Sequence, residues 1–193
     1  MGTIFVDNLE PQSGTSLTLG ASGDTVTLTS GAKTSGFGKI GQVVYVQTTT
    51  QSQSTSTSYA TTGFSASITP TTTSSKILVD FNIHYQIYGN AADTNFGGNF
   101  KIVRSLGGVD TDVFSEANPT PRLNNAYTGN AYLFSSYNLT ELDEPSTTSA
   151  CTYKLQVGTQ LSSTYYLNYN NTQIVSGTQD DSRSTITALE IAQ

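Results

Sequence analysis

Between Lys76 and Tyr88 the chain keeps a two-residue rhythm: Ile77, Val79, Phe81, Ile83, Tyr85 and Ile87 alternate with Asp80, Asn82, His84 and Gln86. A period of two places alternate side chains on opposite faces of an extended strand, so this stretch predicts a long strand packed on one side and polar on the other. Phe64-Ala66-Ile68 alternates in the same way against Ser65-Ser67, and Cys151-Tyr153-Leu155-Val157 against Thr152-Lys154-Gln156. Tyr165-Leu167-Tyr169 alternates against Tyr166-Asn168, and Thr185-Thr187-Leu189-Ile191 against Ile186-Ala188-Glu190. Gln42 to Gln51, Phe100 to Arg104, Val109 to Phe114 and Ala131 to Leu139 read as further strands. Pro70 and the run from Thr71 to Ser75 read as a tight, hairpin-like link into the long strand.

Composition points the same way. Charged residues make up 11% of the chain, against ~25% in ordinary domains, while 32 Thr and 24 Ser are present. Threonine favours strands, the 17 glycines supply turns, and the surface-helix formers Lys, Glu and Arg are scarce. Strands at this spacing without a helical segment predict an all-β protein, an antiparallel sandwich of the jelly-roll kind, over residues 42–193. The last strand is expected to be tied into the sheet.

The same residues exclude several functions. The net charge is -6 and the eight Lys and Arg are scattered singly, so no basic stripe offers itself to nucleic acid. Met1 to Glu10 has neither a basic start nor an apolar run, and Cys151 is the single cysteine. The expectation is therefore no secretory signal, no membrane span, no disulfide framework, and synthesis in a reducing cytoplasm. The sequons at Asn138 and Asn170 read as chance. His84, the one histidine, reads as a sheet-surface or interface residue, and Cys151 as a buried thiol. Asp110, Asp112, Asp180 and Asp181 read as solvated turn acids, since they lack the spaced ligands of a calcium loop. Gly97-Gly98 and Gly107-Gly108 lack a phosphate-loop lysine and read as turns. No catalytic residue, metal site or cofactor is expected.

Residues 1–41 differ from the rest. Ser16-Leu17-Thr18-Leu19 and Thr25-Val26-Thr27-Leu28 repeat at a spacing of nine, which puts Leu17, Leu19, Val26 and Leu28 on one face. Strands this short cannot bury that face alone and need copies or neighbours. Composition alone also allows a flexible Gly/Ser linker; the spaced apolar residues favour a short oligomeric β-stalk over residues 15–41, with Gly36, Gly38 and Gly41 as its neck. Ile4, Phe5, Val6 and Leu9, in residues 1–14, are too few to pack on one another and read as an arm that docks on a partner.

The phrase from Gly2 to Glu10, the stretch from Leu17 to Ala32, the segment Ser65 to Val79 and the closing Ser184 to Ala192 resemble short fibre or spike proteins of tailed bacteriophages. Residues 88–150 carry little of the likeness. The resemblance implies a homotrimer on the virion surface, with an anchoring arm on a capsid or tail protein, a trimeric stalk, and a head like the tumour-necrosis-factor β-sandwich. The short stalk favours a squat spike over a long fibre. The implied role is structural and non-enzymatic, with host-surface attachment; a capsid cement protein is the alternative, and a polysaccharide depolymerase a more remote one. Recognition of a host glycan or protein is expected on the loops Gly89 to Asn99 and Glu116 to Asn130, through Phe96, Arg122 and Tyr127, because binding residues concentrate on loops held by a rigid scaffold.

Overall fold

The computed structural model describes residues 23, 25, 40–89, 95–115, 123–124, 131–159, 163–169 and 182–192. The chain divides into two compact units, Met1–Phe37 and Gly38–Gln193. The stalk and arm residues Ile4, Phe5, Val6, Leu9, Leu17, Leu19, Val26 and Leu28 lie outside the described residues.

The second unit is all-β. In chain order its strands are β1 (Ile40–Thr48), β2 (Ser52–Ser54), β3 (Ala60–Ile68), β4 (Lys76–Gly89), β5 (Asn95–Phe96), β6 (Gly98–Leu106), β7 (Val109–Ser115), β8 (Leu123–Asn124), β9 (Ala131–Asp143), β10 (Cys151–Thr159), β11 (Thr164–Leu167) and β12 (Ser184–Ile191). Among the eight principal strands, the first pairs with the last (β1 with β12), the second with the seventh (β3 with β10), the third with the sixth (β4 with β9) and the fourth with the fifth (β6 with β7), all antiparallel. Two further pairings, β12 with β4 and β10 with β6, roll this long folded hairpin into two sheets. The result is a jelly roll, with β1-β12-β4-β9 in one sheet and β3-β10-β6-β7 in the other.

The core lies between the sheets and is built from the alternation itself. Ile77, Val79, Phe81, Ile83, Tyr85 and Ile87 of β4 are all buried, facing Phe64, Ala66 and Ile68 of β3 and Cys151, Tyr153, Leu155 and Val157 of β10. Aromatic rings fill one end: Tyr85 meets Phe100 edge-on at 5.2 Å between centroids and stacks on Tyr165 at 6.0 Å, while Phe100 stacks on Tyr137 at 5.2 Å. Ring pairs of this kind add roughly 0.5–1.5 kcal/mol each beyond the area they bury.

Several expectations from sequence are corrected. The link from Pro70 to Ser75 is not a hairpin, because β3 pairs with β10 and β4 with β12, β11 and β9; it is an arch that crosses between sheets. Ile68 and Ile77 thus reach one core from opposite sides, which a hairpin would not allow. Gly98 opens β6 and Gly41 lies within β1, so neither belongs to a turn or neck. Gly107 and Gly108 do form the β6–β7 turn, with φ of 58° and 86°, the left-handed region that glycine enters without strain. Gln86 keeps its expected phase yet is buried; its register neighbours are Tyr166 and Phe134, bulky enough to cover it.

The alternation also fails at Asn168, which adopts φ 53° and is buried. There β4 changes partner, from β12 along Lys76–Asn82 to β11 along Tyr85–Tyr88. Asn168 and Ser184 close the seam. Asn168 N–H donates to the His84 carbonyl (2.9 Å), its Nδ2 donates to the carbonyls of Thr48 and Thr50 (3.1 Å each), and its Oδ1 accepts from Ser184 Oγ (2.7 Å). Ser184 Oγ in turn accepts the His84 N–H at 2.9 Å. Every backbone group freed by the change of partner that these bonds reach is thereby satisfied.

Candidate functional site

The outer faces of the two sheets are chemically different, and the face of β1-β12-β4-β9 is the unusual one. Its cross-strand register aligns Val43, Leu189, Leu78 and Leu142, one residue from each strand. Val43 is 57% exposed and Leu142 48%, with Leu78 and Leu189 half-buried between them. A sheet face turned to water is expected to be polar, so an apolar row across four strands departs from that pattern. Exposed Ile40 extends it beside Ile191. The next row along is Tyr45, Thr187, Asp80 and Thr140, then Gln47, Thr185, Asn82 and Asn138. Here Thr140 Oγ1 donates to Asp80 Oδ1 at 2.6 Å, and His84 Nδ1 lies 2.9 Å from Ser136 Oγ.

Two inward carboxylates, buried Glu190 and half-buried Asp143, tie the strands beside the row. Glu190 follows Leu189 and points inward, where its Oε1 accepts Thr71 N–H and Thr71 Oγ1 at 2.6 Å each and its Oε2 accepts Gln42 Nε2 at 2.8 Å. Burial pushes the carboxyl up, but these bonds together with one from Ser75 outweigh it and hold it at about 2. The arch and β1 are thus clipped to β12. A Cβ on Gly41 would stand 3.0 Å from Glu190 Oε2, which explains glycine there. At the other end Asp143 follows Leu142 and accepts Arg104 Nη1 on both oxygens at 2.7 Å, with Tyr153 OH at 2.7 Å. Burial and then the bond to Asp143 push the Tyr153 phenol far up, so it stays protonated as donor. This triad pins β9 to β6 and β10 of the opposite sheet.

The sequence-predicted site residues fare unevenly. Phe96 lies in β5, where its backbone pairs with Leu123 of β8; Arg122 and Tyr127 lie outside the described residues, as do Asp180 and Asp181. Cys151 is buried, and burial pushes its thiol up, which suits a packing residue rather than a nucleophile. Asp110 and Asp112 are corrected from turn acids to strand residues of β7, paired with Lys154 at 3.0 Å and Lys101 at 2.7 Å. Hydrogen bonding from Ser105, then from Lys154, lowers the Asp110 carboxyl. Among the described residues no three His, Cys, Asp or Glu side chains are grouped to hold a metal, and no helix is long and apolar enough to cross a membrane. The apolar row escaped the sequence reading because its members come from four strands. Its local signals were Leu78, in the phase of Asp80 and Asn82, and Leu189, in the phase of Thr185 and Thr187.

No protein-family model matches the sequence, and no curated protein matches it. Among solved structures the chain is distantly similar to the capsid protein VP2 of infectious bursal disease virus. The VP2 subviral particle superposes with a TM-score of 0.37 at 15% identity, over 79% of this chain and 38% of that one. The Gx strain gives 0.35 at 16%, over 78% and 38%, and the Gt strain 0.35 at 15%, over 80% and 39%. The chain therefore spans under two fifths of those capsid chains, and the jelly-roll assignment stands on the strand pairing itself.

Proposed function

We propose that this chain is a virion structural protein, a homotrimeric short fibre or spike of a tailed bacteriophage, whose head self-associates through the outer face of β1-β12-β4-β9. The observation that carries the reading is the apolar row Val43–Leu189–Leu78–Leu142, exposed at its two edge members and half-buried between them, beside which Glu190 and Asp143 tie the strands. A face that leaves apolar side chains in water on a chain of this size favours association with copies of itself. The stripe Leu17, Leu19, Val26 and Leu28 would extend that association as a stalk, and Ile4, Phe5, Val6 and Leu9 would anchor the trimer to a capsid or tail protein. The head then faces the host surface. Its role is mechanical display, with no chemistry asked of His84 or Cys151.

Sedimentation equilibrium of the full chain tests this. The expected mass is three times 20.5 kDa, and a concentration-independent monomer overturns the trimer. Removing residues 1–13 should leave the trimer intact and abolish incorporation into particles; normal incorporation would remove the arm from the account.

A further inference from the structure

At the end of this outer face opposite the apolar row, some eight residues or ~27 Å along β4, two tyrosines meet. The rings of Tyr166 and Tyr169 are 4.8 Å apart between centroids and inclined at 35°, forming a shallow V. They line, with Gln51, Ser52 and Gln53, an open pocket of about 220 Å³. Gln53 is the register partner of Tyr166 across the β2–β11 pair. Gln51 and Gln53 are exposed, and neither amide is hydrogen-bonded to another described residue.

This pairing does not follow from strand geometry. Tyr166 and Tyr169 are three residues apart, so an unbroken strand would send them to opposite faces. The left-handed Asn168 brings them together, and its buried amide is committed to Thr48, Thr50 and Ser184. Non-glycine residues held at positive φ carry strain that the surroundings must over-determine, and such positions cluster at binding sites. Here the outcome of that conformation is a half-buried Tyr166 against an exposed Tyr169, beside two amides with no partner among the described residues.

We propose that Tyr166, Tyr169, Gln51 and Gln53 form a carbohydrate subsite for a neutral hexose. The apolar C–H face of a pyranose ring packs on tyrosine rings whose faces are electron-rich, and glutamine amides supply both donors and acceptors for vicinal hydroxyls. The pocket is smaller than the ~300–1,000 Å³ of drug-sized sites, so it takes one sugar unit of a chain that continues into solvent. Among the described residues its lining carries no charged side chain, and the net charge of -6 opposes an acidic sugar, which favours hexose over uronate or sialic acid. The use of this sugar for recognition rests on the reading of the head as displayed on a particle; the binding itself does not.

The test is titration of the full chain with lactose, maltose and cellobiose, and with a galacturonate oligomer as the acidic arm, read by saturation-transfer NMR and by tyrosine emission. With no Trp in the chain, tyrosine dominates the emission. At least one neutral disaccharide should bind, Tyr169→Ala should weaken it tenfold or more, and Gln53→Ala about threefold, with melting and sedimentation unchanged in both. Absence of binding by every neutral sugar overturns the subsite. So does equal binding of the galacturonate, or undiminished binding by both variants. A trimer that binds none of these sugars removes this inference alone, whereas a monomer that binds one removes the trimer alone.

Discussion

The two outer faces of the sandwich come from one strand chemistry and reach opposite ends. On the face of β3-β10-β6-β7, Ser67 bonds Thr152 at 2.7 Å, Lys154 pairs with Asp110 and Lys101 with Asp112, and Lys101 also lies over the ring of Tyr59 at 5.1 Å. The polar side chains in these contacts are partnered within the chain. On the face of β1-β12-β4-β9 an apolar row crosses four strands, and it is beside this row that the inward carboxylates Glu190 and Asp143 tie the strands. One face finds partners for its polar groups within the chain; the other carries the apolar row for which a second copy is proposed as cover.

The contrast can be broken most directly by charge. Leu78→Asp combined with Leu189→Asp should lower self-association at least a hundredfold, roughly 2.7 kcal/mol or more, while Thr152→Asp on the opposite face leaves it unchanged. Sedimentation equilibrium on the three proteins decides the matter, and equal effects from the two faces would erase the distinction drawn between them.

A second effect concerns the brace that Glu190 forms. Glu190 sits at about 2 in the folded chain against an ordinary 4.5, so its folded pKa is depressed. Its contribution is fully present above pH 4.5 and is lost as pH falls from there towards 2, an effect on the order of 3 kcal/mol. Glu190→Gln should therefore flatten the acid limb of the stability curve in that window. Urea unfolding at pH 6 and at pH 3 measures it; a variant with the parent's full acid sensitivity would place the brace elsewhere.

The smallest effect belongs to the finished face. A double-mutant cycle on Lys101 and Asp112 should give a coupling of about 0.5 kcal/mol, vanishing in 1 M salt, because an exposed ion pair gains little over its hydrated partners. Coupling of several kcal/mol would mean that this face, too, is covered in the assembled protein.

What sequence alone determined is the strand content and the inward face of the longest strands. Ile77 to Ile87 and Cys151 to Val157 are buried as their alternation demands, because a period of two leaves an extended chain no other way to hide those side chains. Pairing was decided only in three dimensions. An arch and a hairpin have the same local sequence, so Pro70 to Ser75 could not announce that Ile68 and Ile77 belong to different sheets. The apolar row and the tyrosine pocket were out of reach for the same reason. Val43, Leu78, Leu142 and Leu189 become neighbours only through cross-strand register, and Tyr169 joins Tyr166 only because a buried Asn168, anchored to Thr48, Thr50 and Ser184, turns the backbone where alternation would have kept them apart.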